Sequence, residues 1–294
     1  MNSTAMTDTL KDYLIGLLRL IRPKQWIKNG FVFAPIIFSG EILNSSALIH
    51  STLATLFFCI ASSATYIVND IHDVDQDRRH PKKSKFRPLA LGVISKNHAL
   101  ILLTFFYFIL MLAYPLMPKV ILVILGYLVL NLAYTFVLKH EPVIDIFTIA
   151  IGFVFRVIAG SVAIGVEPSA WMCVTTLCLA LYLAAVKRRQ ELAQNGSDGR
   201  KVLKKYSVEL VDRYAEMSAT GALLFYSIFV MSTRPALVIT IPLVLYGLFR
   251  YWYVVEALDG GESPTDALLA DWQLLVVVVL WIGSCIWALS SLHL

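Results

Sequence analysis

The chain has 294 residues, 58% of them hydrophobic and only 15% charged, with a mean hydropathy of +0.71. Soluble domains run near half apolar and a quarter charged, so these values exclude a soluble globular domain and a disordered chain. The net charge of +5 is gathered at the ends of apolar runs, which excludes nucleic acid as a partner and leaves a polytopic protein of the lipid bilayer.

Runs of about 20 apolar residues match the thickness of a bilayer core crossed as helix. Nine such spans are predicted in chain order, at 14–38, 47–69, 98–116, 119–138, 143–164, 169–187, 215–233, 236–256 and 272–292. An open backbone finds no partner in lipid, and nothing alternates with the period of a barrel, so the fold class is all-α, a membrane helix bundle. The start of the chain is polar through Lys11 and shows no small-residue cleavage site, so no cleaved signal peptide is expected. Cys59, Cys173, Cys178 and Cys285 fall inside apolar runs without metal or disulfide spacing and read as packing residues.

With the N-terminus cytoplasmic, Lys and Arg divide 22 against two between the faces, which predicts a multi-pass protein of the plasma (inner) membrane. Residues 1–294 form a single integral-membrane domain, with cytoplasmic loops at 70–97, 188–214 and 257–271. The first two are long and dense in charge, more than a tether between helices needs, so polar chemistry is placed at this mouth.

After the second span comes Asn69-Asp70-Ile71-His72-Asp73-Val74-Asp75-Gln76-Asp77. If the helix continues, Asn69, Asp70, Asp73 and Asp77 fall within an arc of about 100°. Carboxylates so spaced repel unless a cation lies among them, and oxygen-only ligands beside a phosphate-bearing substrate favour Mg2+. A solvated acidic helix end neutralised by Arg78, Arg79 and Lys82 is the plainer alternative.

Cations surround this face. Arg22-Pro23-Lys24-Gln25-Trp26-Ile27-Lys28-Asn29 interrupts the first span, with Trp26 suited to the interface and Lys24 and Lys28 one turn apart as candidate phosphate contacts. Arg87 sits between Phe86 and Pro88. Lys187-Arg188-Arg189-Gln190-Glu191 closes the sixth span and leads to Arg200 and Tyr206; Lys187 and Glu191 are one turn apart. On the fifth helix, Asp145, Gly152, Arg156 and Gly160 share a stripe, and an Arg in mid-span is costly enough to mark a cavity or a partner. Tyr127, Asn131 and Tyr134 share a face of the fourth, with a structural hydrogen-bond role at least as well favoured as substrate contact. The set suits a diphosphate held at the membrane surface beside a lipid chain, and displacement of diphosphate at an sp3 carbon.

At these residues the chain resembles the UbiA superfamily of intramembrane prenyltransferases, through nine spans and an Asn-Asp-x-x-Asp-x-x-x-Asp motif at Asn69, Asp70, Asp73 and Asp77. The family's second acidic motif, after the sixth helix, is replaced by Lys187-Arg188-Arg189-Gln190-Glu191. The segments 22–29 and 187–192, with Asp145, Arg156, Gly160, Arg200, Tyr206, Pro264 and Asp271, are similar to the decaprenyl-phosphate phosphoribosyltransferase branch. That resemblance implies phosphoribosyl diphosphate as the soluble substrate and a polyprenyl phosphate as the lipid nucleophile, in a pathway toward cell-envelope arabinan. It further implies Mg2+ on Asp70, Asp73 and Asp77, with Asn69 and Lys28 or Lys24 on the diphosphate. Lys187, Arg188 and Arg200 would meet the 5-phosphate, and Arg156 the lipid phosphate. Arg87, Tyr134, Asp145, Glu191 and Tyr206 complete the expected substrate-binding set, and a homo-oligomer is allowed. The alternatives are a prenyl diphosphate transferase acting on an aromatic or other acceptor and, behind it, a transporter, which should show inverted repeats and broken helices.

Overall fold

The computed structural model describes residues 3–79, 83–195, 201–257 and 264–290, and among them every regular element is helical. In chain order these are α1 (Ser3–Ile21), α2 (Ala34–Ser39), α3 (Ser45–His72), α4 (Val74–Arg79), α5 (Pro88–Leu91), α6 (Lys96–Ala113) and α7 (Pro118–Phe136). There follow α8 (Ile144–Ala163), α9 (Ala170–Asn195), α10 (Val208–Thr233), α11 (Ile241–Ala257), α12 (Pro264–Ala270) and α13 (Trp272–Ser290). Eight helices among the described residues are long and apolar enough to cross a membrane. The outward faces of α6 and α7 carry Ile101, Phe105, Met111, Leu125 and Val129 exposed, a surface suited to lipid rather than water.

Sequence signals set the helix starts. Asn44 caps α3 by accepting from the Ser46 and Ala47 amides, Ser95 and Ser207 cap α6 and α10, and Asp271 accepts from Leu274 N–H at 2.7 Å to open α13.

The expected span 14–38 is not one helix. α1 stops at Ile21, Arg22 is left-handed (φ 53°, ψ 62°), and Pro23–Phe33 winds as a 3-10 helix before α2. Proline at position 23 has no amide for an α-helical bond to the carbonyl four residues back, and the chain re-satisfies itself from a neighbour. Ser63 donates to the Ile21 carbonyl at 2.8 Å and accepts from Trp26 Nε1 at 3.0 Å, so Trp26 is tied to α3 rather than standing free in the interface. The expected loop 188–214 is also shorter, because α9 continues through Asn195 and α10 begins at Val208.

Around the bundle α3 packs on α6 and α7, and each of α7, α8, α9, α10 and α11 packs on the next long helix, up to α13. α13 returns to α2, which closes the ring, and the 3-10 segment lies against α3 and α8. Gly160 makes that last contact fit: a Cβ there would meet the Val32 carbonyl oxygen head-on.

Candidate active site

The acidic motif does not lie on one helix. α3 ends at His72, Asp73 occupies its C-cap (φ −92°, ψ 6°) with its amide on the Asn69 carbonyl at 2.9 Å, and Asp77 belongs to α4. The three carboxylates still sit at one end of the bundle, each held by a cation. Asp70, only 2% exposed, receives both Arg22 and Arg87 on Oδ1. Asp73 takes Lys139 on both oxygens, at 2.7 and 2.9 Å, with His72 Nδ1 2.8 Å away. Asp77 is paired with Lys83 at 3.2 Å. Burial works against ionisation of Asp73, but the hydrogen bonds from Lys139 and His72 outweigh it and hold the carboxyl below the usual carboxylate range.

Among the described residues no three acidic, His or Cys side chains are already gathered around a vacant metal position. The donor set nevertheless fits Mg2+: all donors are oxygens, and Asp70 Oδ2 is buried with no hydrogen-bond partner. An orphaned carboxylate oxygen is expensive in a protein interior and is the kind of atom a hard cation takes.

A second knot lies at the same end, where α7, α8, α9 and the 201–207 segment meet. Arg188, 2% exposed, donates from Nε to Asp145 Oδ2 at 2.8 Å, from one terminal nitrogen to Glu191 at 2.5 Å and from the other to the Tyr134 hydroxyl at 3.4 Å. Tyr206 donates to Asp145 Oδ1 at 2.7 Å and accepts from the Val143 amide at 2.6 Å. Glu191 is thus also met by Arg188, three residues away on the same helix, besides the i,i+4 relation to Lys187. Arg188 is engaged on three sides by protein groups and ties α7, α8 and α9 together.

A third group lies deeper. Arg156, 5% exposed, donates to Asn29 Oδ1 at 2.8 Å, to the Gly152 carbonyl at 2.7 Å and to the Tyr127 hydroxyl at 3.3 Å, with its guanidinium over the rings of Phe58, Tyr127 and Phe153. Asn29 is itself tied to α3 through Ser62 and Cys59, both at 3.2 Å. Among the described residues no carboxylate pairs with Arg156; its partners are neutral. Lys28 lies within electrostatic reach of Arg22, Arg156 and, on α12, Asp266. Cationic groups therefore run from the carboxylates toward the interior of the bundle.

Of the residues singled out in the sequence, Asp70, Asp73, Asp77 and Arg87 come together, and so do Tyr134, Asp145, Arg188, Glu191 and Tyr206. Asn69 and Lys187 are half-buried nearby, Lys24 is exposed to solvent, and Arg200 lies outside the described residues. Arg22, Lys83, Lys139 and Asn29 were not selected. Their charges and polarity were visible, but no local spacing signals a partner 48 or 66 residues away, as for Arg22 with Asp70 and Lys139 with Asp73.

Comparison with known proteins bears on the fold and the family. Residues 31–269 match the UbiA prenyltransferase family. The decaprenyl-phosphate phosphoribosyltransferase of Corynebacterium glutamicum is 33% identical over 301 aligned positions, covering 96% of this chain and 90% of that one. Its counterpart from Mycobacterium tuberculosis is 32% identical, covering 97% of each. A UbiA homolog from Archaeoglobus fulgidus bound to GPP and Mg2+ superposes with a TM-score of 0.73 at 23% identity, over 94% of this chain and 99% of that one. With the family match spanning most of its length and these relatives aligned nearly end to end, the chain belongs to the UbiA prenyltransferase family.

Proposed function

We propose that the chain transfers a 5-phosphoribosyl group from phosphoribosyl diphosphate to a polyprenyl phosphate of the decaprenyl type and releases diphosphate. The observation that carries this reading is the near end-to-end similarity to decaprenyl-phosphate phosphoribosyltransferases. It is supported by a site whose acidic motif is flanked by more cations than a single diphosphate requires.

In this reading Asp70, Asp73 and Asp77 hold Mg2+, which when bound offsets the charge building on the departing diphosphate. Arg22, Arg87, Lys83 and Lys139, which neutralise those carboxylates in the ligand-free chain, turn their donors to phosphate oxygens, and Asn69 with Lys28 or Lys24 completes the diphosphate contacts. Lys187 is assigned to the 5-phosphate, and Arg200, outside the described residues, is assigned to it on charge alone. Arg188, already enclosed by Asp145, Glu191 and Tyr134, positions the wall rather than binding that phosphate. The lipid phosphate lies near Arg156, a cation whose partners among the described residues are neutral and which gains an anion to face. A lipid phosphate oxygen forms a bond to the anomeric carbon from the side opposite the diphosphate as the carbon–diphosphate oxygen bond breaks, with inversion. The nucleophile is already anionic near neutral pH, so no general base is required.

The orientation proposed is N-terminus and site mouth cytoplasmic in the inner membrane, and the product serves cell-envelope arabinan synthesis. The test is transfer of labelled phosphoribosyl diphosphate into the organic phase by purified protein with polyprenyl phosphate, with and without Mg2+, beside Asp73→Ala. Label should move only with Mg2+ and intact Asp73. No transfer by a folded preparation would sink the phosphoribosyl reading and favour a prenyl diphosphate donor.

A further inference from the structure

The connection between α7 and α8 contains a backbone conformation that its residue resists. Val143 is one of two residues other than glycine with positive φ among the described residues, at φ 68° and ψ −49°. The Ile144 amide donates back to the Pro142 carbonyl at 2.7 Å, so residues 142–144 form a γ-turn of the rare, strained hand. A β-branched side chain at such a φ is a true outlier and persists only where its surroundings over-determine it.

One hydroxyl supplies that over-determination. Tyr206 accepts from the Val143 amide at 2.6 Å and donates to Asp145 Oδ1 at 2.7 Å, bridging the strained residue and the carboxylate two positions on. The other Asp145 oxygen takes Arg188, whose guanidinium also meets Tyr134 on α7. The stretch from Tyr134 to Asp145 is thus pinned at both ends, and from its middle Lys139 reaches both oxygens of Asp73.

We infer that Tyr206 is a positioning residue that staples the strained turn at Val143 and thereby sets Lys139 against the acidic motif, so that segment 201–207 acts on diphosphate binding without touching the diphosphate. Lys139 lies in a 3-10 turn whose backbone bonds, from His140 to Val137 and from Glu141 to Leu138, fix its start, and Tyr206 ties the far end of the connection at Val143, which narrows the rotamers the long lysine side chain samples. Tyr206 is therefore removed from direct substrate contact and given an indirect role. The inference rests on the phosphoribosyl transfer reading only for its kinetic arm.

The test uses the full chain in lipid nanodiscs, with inorganic diphosphate and Mg2+ as the binding probe, read by calorimetry. Tyr206→Phe should weaken magnesium diphosphate about tenfold and raise KM for phosphoribosyl diphosphate equally, with KM for the lipid and kcat at saturating donor unchanged. Adding Val143→Gly should restore binding to within about twofold of wild type, because glycine holds a positive φ without the staple. A hydroxyl that contacted the donor itself could not be rescued from position 143, so absence of rescue overturns the inference, as does unaltered binding in Tyr206→Phe. If Tyr206→Phe does not fold, Val143→Gly alone decides: retained binding without a lower Tm is expected, and weakened binding overturns the role. A wild type that binds magnesium diphosphate with this variant pattern yet transfers no phosphoribosyl group sinks the proposed reaction and leaves the positioning role standing. A wild type that binds no magnesium diphosphate overturns both.

Discussion

At the scale of single residues, Asp70 and Arg156 present opposite electrostatic problems. Asp70 is a buried carboxylate with two guanidinium groups on one oxygen and nothing on the other. Asp70→Ala leaves Arg22 and Arg87 side by side without their anion, which should cost about 3 kcal/mol in a thermal melt and abolish turnover. Arg156 is a buried cation with neutral partners, and its fork is matched to Asn29 and the Gly152 carbonyl together. Arg156→Lys keeps the charge but loses the fork, so KM for the lipid should rise about tenfold while KM for the soluble donor stays put, as steady-state kinetics with each substrate varied at saturating levels of the other would read. Both residues were legible in the sequence, one through three Asp at helical spacing and the other as a lone charge in an apolar run. Their partners were legible only in part, since Arg87, Gly152 and Tyr127 stood out and Arg22 and Asn29 did not. Arg22 and Lys139 looked like ordinary cations of a membrane edge, and only the folded chain brings them to Asp70 and Asp73.

At the scale of elements, the long helices follow from apolar runs and caps, and the departures have local causes. Arg22-Pro23 breaks the first span, a left-handed residue followed by one without an amide. The apolar stretches on either side, 14–21 and 31–38, draw this segment into a single expected span, although Pro23–Phe33 itself carries Lys24, Gln25, Lys28 and Asn29. α9 and α10 outrun their apolar stretches because Arg189 pairs with Asp212 at 2.7 Å and with Glu256 at 2.5 Å, which holds their charged ends as helix. The contact of α8 with the 3-10 segment depends on a missing side chain. Gly160→Ala would drive a methyl into the Val32 carbonyl, and the required shift should cost about 1–3 kcal/mol by thermal melt in detergent. The same shift would move Arg156 away from Asn29, so the variant should lose lipid transfer more than its loss of stability explains.

At the scale of the whole molecule, composition specified a membrane bundle directly, while the closure of the ring and the meeting of two charged knots needed the fold. The asymmetry of Lys and Arg, 22 against two, makes a topological prediction. In a background stripped of the four native cysteines, Lys85→Cys should react with an impermeant thiol reagent only from the cytoplasmic side, and Lys119→Cys only from the other. The reverse labelling pattern would invert the topology proposed for the site.

The ring closes where α13 meets α2, with Phe38 of α2 edge-on to Phe229 of α10 and Trp281 of α13. α13 is the last described helix to leave the ribosome, whereas Lys28 and Arg156 are inserted long before it. During biosynthesis the ring of helices therefore stays open beside α2 until α13 docks. The chain has a built-in order of assembly, in which its last described helix closes the ring on α2, and a ribosome stalled before Trp272 would present an open ring to the membrane's quality-control machinery.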